Sequence, residues 1–204
     1  ISEEDAAQVS LDERMTWEVF WLIDPLDGTK EFIRQHTDFT VNIALIAGKK
    51  PVAGVVYAPA RDWLYFGQTL KGDTAEAYKQ IGDGEPVLLP LVENAHEDIV
   101  AVRSKSHAVE AEEAVLAKFG ASRTLSMGSS LKFCLLAEGR ADVYYRGGPT
   151  WEWDTAAAHA VLIAAGGVVL TPDGQEELLY NKPTGKNDNG FLALARSELK
   201  QKLH

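Results

Sequence analysis

Two carboxylates lie three positions apart in the run Asp24-Pro25-Leu26-Asp27-Gly28-Thr29. Pro25 fixes its own φ and pushes Asp24 toward an extended backbone. Gly28 has no side chain, so the chain can bend there and approach a ligand closely. Such a turn can offer two aspartate oxygens and the carbonyl of Leu26 to one hard cation. Mg²⁺ suits it, since it takes oxygen ligands in near-octahedral geometry at about 2.0–2.1 Å. If Lys30-Glu31-Phe32-Ile33 is helical, the amides of Gly28 and Thr29 face an anion at the positive end of that helix. The plainer alternative is an Asp-Pro turn with a capping aspartate.

Further candidates are spread along the chain. Asp154, in Trp153-Asp154-Thr155-Ala156-Ala157, precedes an Ala-rich helical pattern that stops at Gly166-Gly167. On its own it reads as an N-cap. A second, outward oxygen would still be available to a cation. Ser2-Glu3-Glu4-Asp5 reads on its own as a solvated acidic end. Basic residues stand at Lys132, in Gly128-Ser129-Ser130-Leu131-Lys132-Phe133-Cys134, and at Arg146, after Asp142-Val143-Tyr144-Tyr145. His107 closes Ser104-Lys105-Ser106-His107. A Lys/Arg pair is suited to a phosphate held away from a metal.

The string Asp24-Pro25-Leu26-Asp27-Gly28-Thr29, with Trp153-Asp154 and its small-residue helix, resembles the signatures of the inositol monophosphatase superfamily. Its members are Mg²⁺-dependent, Li⁺-inhibited phosphomonoesterases. The resemblance implies that Asp24, Asp27, Asp154 and the Leu26 carbonyl bind two or more Mg²⁺ ions. Glu3, in the upstream Ser-Glu-Glu element, would be a further ligand that helps deprotonate water. Thr29 would orient the attacking water, and Gly28 would lie against the substrate. The run Gly128 to Gly139 is similar to the CysQ-type 3'(2'),5'-bisphosphate nucleotidases. That similarity implies nucleotide contacts from His107, Ser129, Lys132 and Arg146, with Asp154 also beside the substrate.

The implied reaction is hydrolysis of adenosine 3',5'-bisphosphate to AMP and phosphate by metal-activated water. 3'-Phosphoadenylyl sulfate is a candidate second substrate. The alternatives are inositol phosphate or fructose bisphosphate hydrolysis within the superfamily, and a non-catalytic metal- or nucleotide-binding module. The implied fold is a layered αβαβα sandwich, here without the family's N-terminal helical segment. That segment carries an acidic residue near the attacking water, so a chain lacking it can be inactive.

The elements that must position these residues follow from hydrophobic patterning. Val19–Ile23, residues 39–46, 52–57 and 63–67, and a shorter run near 75–79 read as strands, with 39–46 and 52–57 as an antiparallel pair. Residues 82–97 read as loop and give a soft boundary between a metal-binding half (1–95) and a C-terminal half (96–204) of one catalytic unit. In the second half, helices at 109–119, 129–138 and 154–165 alternate with strands at 99–102, 141–145, 168–170 and 191–194. The class is α/β or α+β.

Composition excludes several alternatives. The 204 residues are 46% hydrophobic and 25% charged, which is ordinary for a globular core. No apolar run approaches the roughly 20 residues of a membrane helix. The net charge of −10, with no dense Lys/Arg run, argues against nucleic acid. The single cysteine, Cys134, sits in an apolar run and reads as a buried thiol that forms no internal disulfide. The expectation is a cytoplasmic monomer or homodimer, with a peripheral position at the inner face of the cell membrane as the variant. The chain opens on Ile1 with no signal-peptide pattern and reads as the interior of a longer protein.

Overall fold

The computed structural model describes all residues except 72–73, 92–97, 105–109 and 204. In chain order the elements are α1 (Leu11–Arg14), β1 (Val19–Asp27), α2 (Thr29–Ile33), β2 (Thr40–Ala47), β3 (Lys50–Ala58), β4 (Trp63–Lys71), β5 (Thr74–Ile81) and β6 (Val87–Leu88). There follow β7 (Ile99–Arg103), α3 (Glu110–Phe119), β8 (Ala121–Ser126), α4 (Leu131–Ala137), β9 (Val143–Arg146), β10 (Thr150–Trp151) and α5 (Trp153–Ala164). The chain closes with β11 (Val168–Leu170), β12 (Lys186–Asn187), β13 (Phe191–Leu194) and a 3₁₀ helix at Ser197–Leu203.

β1 to β6 form a six-stranded antiparallel meander in sequence order. A second, mixed sheet runs β11-β13-β9-β7-β8, and β10 pairs with β12 in a short ribbon. The expected antiparallel pair, β2 with β3, is present. Helices α4 and α5 lie between the two sheets, with α5 packed on β2, β3 and β4. On the far side α3 packs against β9 and the C-terminal 3₁₀ helix. The layers match the mixed sandwich expected of the sequence.

The contact of α5 with the first sheet is close because small residues meet there. A Cβ on Gly54 would fall 2.2 Å from the carbonyl oxygen of Ala157, so β3 can pass the helix at that point only as glycine. One apolar cluster runs through this layer, joining Leu22, Ile46 and Tyr65 of the meander to Phe133, Val161 and Phe191 of the second half. Alternation along the strands gives the meander a second, outer face, where Trp21, Ile43 and Val55 are exposed.

Several elements differ from their expected bounds. β1 does not stop at Ile23 but continues through Pro25 to Asp27. Residues 82–91 are not loop throughout, because β6 adds to β5. β8 was not expected at all: Ala-Ser-Arg-Thr-Leu-Ser is largely exposed and lacks apolar alternation, yet it pairs parallel with β7 at the sheet edge.

Candidate active site

Two carboxylates three residues apart on a regular strand would point to opposite faces. The register shows how both reach the same side. Asp24 pairs with Asn42 and Asp27 with Thr40, so three steps along β1 oppose two along β2. The extra residue is a β-bulge, and bulges re-aim side chains. Pro25 is tolerated inside the strand because it sits in that irregular stretch. Beyond the bulge Gly28 takes φ +88°, in the left-handed region, and α2 follows directly.

Asp24 is buried, and its Oδ1 accepts a hydrogen bond from the Leu26 amide at 2.9 Å. Burial first, and then repulsion from Asp27, push its carboxyl up to about 8. Asp27 turns Oδ2 toward the start of α4, where it accepts from the Ser130 amide at 2.7 Å and from the Ser129 hydroxyl. Ser129 reaches this position with φ +54°, an unusual conformation for a residue with a Cβ. The Gly128 amide just before it donates to the buried Asp38 at 3.0 Å, and Arg61 pairs with that carboxylate. Thr40 and Asn42 of β2 extend the polar network through the Ser130 hydroxyl, each at 2.8 Å.

Asp154 departs from the expected N-cap role. α5 begins one residue earlier, at Trp153, with Glu152 at the cap position. Asp154 Oδ2 instead reaches back to the Trp151 amide at 2.9 Å. Burial, then repulsion from Asp27, raise its carboxyl to about 7. Asp24 and Asp154 each also feel Glu3. Glu3 is held beside Asp24 by backbone pairing, its amide donating to the Ile23 carbonyl at 3.0 Å.

A cleft of about 200 Å³ is lined by Asp27, Ser129, Lys132, Arg146, Thr150 and Asp154, among others. Gly28 lines it too, and Thr29 does not. Lys132 is buried in its wall, donates to the Ser129 carbonyl at 2.6 Å, and lies 5.4 Å from the Tyr144 ring. Burial lowers its ammonium to about 8. Arg146 donates to the Pro149 carbonyl at 3.4 Å, while its buried Nε has no partner among the described residues. Glu3 faces a neighbouring cavity of about 500 Å³ with Arg14, Trp151 and Trp153. His107 lies outside the described residues.

The structure therefore brings together Asp27, Gly28, Ser129, Lys132, Arg146 and Asp154 in one cleft. Asp24, Glu3 and Thr29 do not line that cleft. Sequence reasoning missed Asp38, Thr40, Asn42, Thr150 and Thr155. Only Thr155, inside the Trp153-Asp154-Thr155 signature, was marked by any motif.

Among the described residues, no three His, Cys, Asp or Glu side chains form a group that could by themselves hold a metal ion. Asp24, Asp27 and Asp154 each turn one oxygen onto a backbone amide. Among the described residues nothing donates to the other oxygen of each. Three carboxylates close enough for Asp24 and Asp154 to feel Asp27, each with an oxygen to spare, have the donor chemistry of a hard divalent cation. The residues present fit Mg²⁺.

Comparison with known proteins gives the family. The chain belongs to the inositol monophosphatase family, which it matches over residues 1–204. Within that family it is similar to 3'(2'),5'-bisphosphate nucleotidase CysQ. Identity is 46% over 170 residues with the Salmonella typhimurium protein, covering 81% of this chain and 63% of that one. With the Escherichia coli K12 protein it is 47% over the same shares. A solved CysQ from Bacteroides thetaiotaomicron superposes with a TM-score of 0.84 at 39% identity, covering 97% of this chain and 77% of that chain. The chain thus spans about 63% of the length of the curated relatives it matches. Staphylococcal IMPase-II shares the fold, with a TM-score of 0.72 at 22% identity. Among the described residues, no helix is long and apolar enough to cross a membrane.

Proposed function

We propose that the protein is a Mg²⁺-dependent phosphatase that removes the 3'-phosphate of adenosine 3',5'-bisphosphate, and acts in the same way on 3'-phosphoadenylyl sulfate. The observation that carries this reading is one cleft whose lining holds both chemistries: the carboxylates of Asp27 and Asp154, and the cations of Lys132 and Arg146. A bisphosphate needs both, because one phosphate must react beside a cation while the other is held by fixed positive charge.

Asp24, Asp27, Asp154 and the Leu26 carbonyl would hold Mg²⁺, with Glu3 as a further ligand from the side. A Mg²⁺ ion bound there would supply a water of lowered pKa and positive charge for the phosphate oxygens. Asp27, held at Oδ2 by Ser129 and Ser130, would offer Oδ1 to the cation. Thr29, whose hydroxyl donates to the Leu26 carbonyl at 3.4 Å, would orient a water at the turn. A bound anion would favour the ammonium of Lys132, opposing the burial that lowers it to about 8. Arg146 has a buried Nε free to donate to the second phosphate. Li⁺ would inhibit by competing for the same oxygens. His107 would add a contact to the nucleotide.

The test is a substrate panel on the full chain with Mg²⁺. Adenosine 3',5'-bisphosphate should be cleaved with a kcat/KM well above that of inositol 1-phosphate. Equal rates, or preference for the inositol ester, would overturn the nucleotide reading.

A further inference from the structure

Behind the cleft, α5 carries a polar set inside an otherwise apolar core. His159 and Tyr180 are buried, and neither lines the cleft. His159 Nδ1 lies 2.9 Å from the Tyr180 hydroxyl, which donates to Thr155 Oγ1 at 3.2 Å. Thr155 in turn donates to the Glu152 carbonyl at 3.2 Å. A carbonyl can only accept, so the Thr155 proton is directed to Glu152. The Tyr180 hydroxyl bridges Thr155 and His159, and the direction of its contact with Nδ1 follows the tautomer of the ring. Asn187 locks the far end, donating to Thr155 at 3.1 Å and to Thr150 at 3.0 Å.

Apolar side chains of the same size would fill this space without the cost of burying hydroxyls and an imidazole. What the hydrogen-bonded chain adds is a single arrangement. Its last link is Thr155, the residue after Asp154 in the first turn of α5, and both line the cleft. Thr150 lines it as well. We infer that the His159–Tyr180–Thr155 chain is a positioning device that fixes the first turn of α5, and so sets the affinity of Asp154's site for Mg²⁺. The inference rests on the reading of Asp154 as a Mg²⁺ ligand. Outer-shell partners of metal ligands change metal affinity by about 10–100-fold when removed.

The test is Mg²⁺ binding by calorimetry on the 204-residue chain, which needs no turnover. Tyr180→Phe keeps the ring and removes one hydroxyl, and it should weaken Mg²⁺ binding about 10-fold while thermal unfolding stays cooperative. His159→Leu should do the same. His159→Asn, whose amide can donate from the place of Nδ1, should restore affinity to within about 3-fold of the parent chain. A purely structural role would lower Tm in the Phe and Leu variants and leave the Mg²⁺ affinity unchanged, and that result overturns the inference alone. If Tyr180→Phe does not fold, the contrast between His159→Leu and His159→Asn decides: equal affinities overturn the inference. A parent chain that binds no Mg²⁺ sinks the metal reading and the inference together.

Discussion

Replacing Asp24 by Asn should stabilise the protein without Mg²⁺ and abolish its response to Mg²⁺. Asp24 is 1% exposed, and its carboxyl is raised from 3.8 to about 8 by burial, then by Asp27. At pH 7 the unfolded chain ionises this group freely, whereas the folded chain keeps it largely protonated. The pH interval from 3.8 to 7 is about 3 units, and each unit is worth about 1.4 kcal/mol. The carboxyl therefore costs the metal-free fold about 2–4 kcal/mol relative to a neutral isostere, allowing for its coupling to Asp27. Asn retains an oxygen for the Leu26 amide, so that hydrogen bond survives. The sign follows from the raised folded pKa: the unfolded state releases the proton first, so stability falls as pH rises from about 4 to about 8. Urea unfolding in EDTA should show Asp24→Asn more stable at pH 7 and equal to the parent chain near pH 4. With Mg²⁺ at about 100 times its Kd, the parent chain should gain about 2.7 kcal/mol and the variant nothing. A variant less stable than the parent chain in EDTA at pH 7, or equally stabilised by Mg²⁺, would refute the reasoning.

Three further outcomes are expected. Arg146→Ala should raise KM for adenosine 3',5'-bisphosphate about 10-fold or more with a smaller change in kcat; steady-state kinetics checks the split, and an unchanged KM removes Arg146 from the substrate contacts. Gly54→Ala should destabilise by at least about 1–3 kcal/mol in chemical unfolding, because the added methyl meets the Ala157 backbone at 2.2 Å. His159 is held neutral, its imidazole lowered by burial from 6.5 to about 3, so its contribution to stability is lost as pH falls below about 6.5. At pH 4.5 the loss should reach about 2–3 kcal/mol, and His159→Asn should flatten that part of the stability–pH curve.

The meander was legible because β1 to β4 carry apolar and β-branched residues at strand spacing, with Gly48 marking the turn between β2 and β3. β8 was illegible because an exposed edge strand needs no apolar face. The bulge at Asp24–Asp27 could not be read either. Pro25 looks like a strand terminator in sequence, and only the partner strand shows that β1 runs on through it. Lys132 could stand in sequence as a surface charge, the weaker alternative to a ligand contact, and its burial in the cleft wall removes that option. Asp38, Thr40 and Tyr180 join the site or its support through partners 25 to 90 residues away. No local spacing encodes such contacts. The family signatures located Asp27, Asp154, Lys132 and Arg146 because they are strings of fixed spacing.

In the proposed reaction Asp27 and Asp154 serve the reacting phosphate while Lys132 and Arg146 hold the other. Phosphate release from adenosine 3',5'-bisphosphate, followed on the full chain with Mg²⁺ and then with EDTA, tests that division of labour. Turnover that needs Mg²⁺, stops with EDTA and exceeds that on inositol 1-phosphate is the predicted result. Release that continues unchanged in EDTA would contradict it.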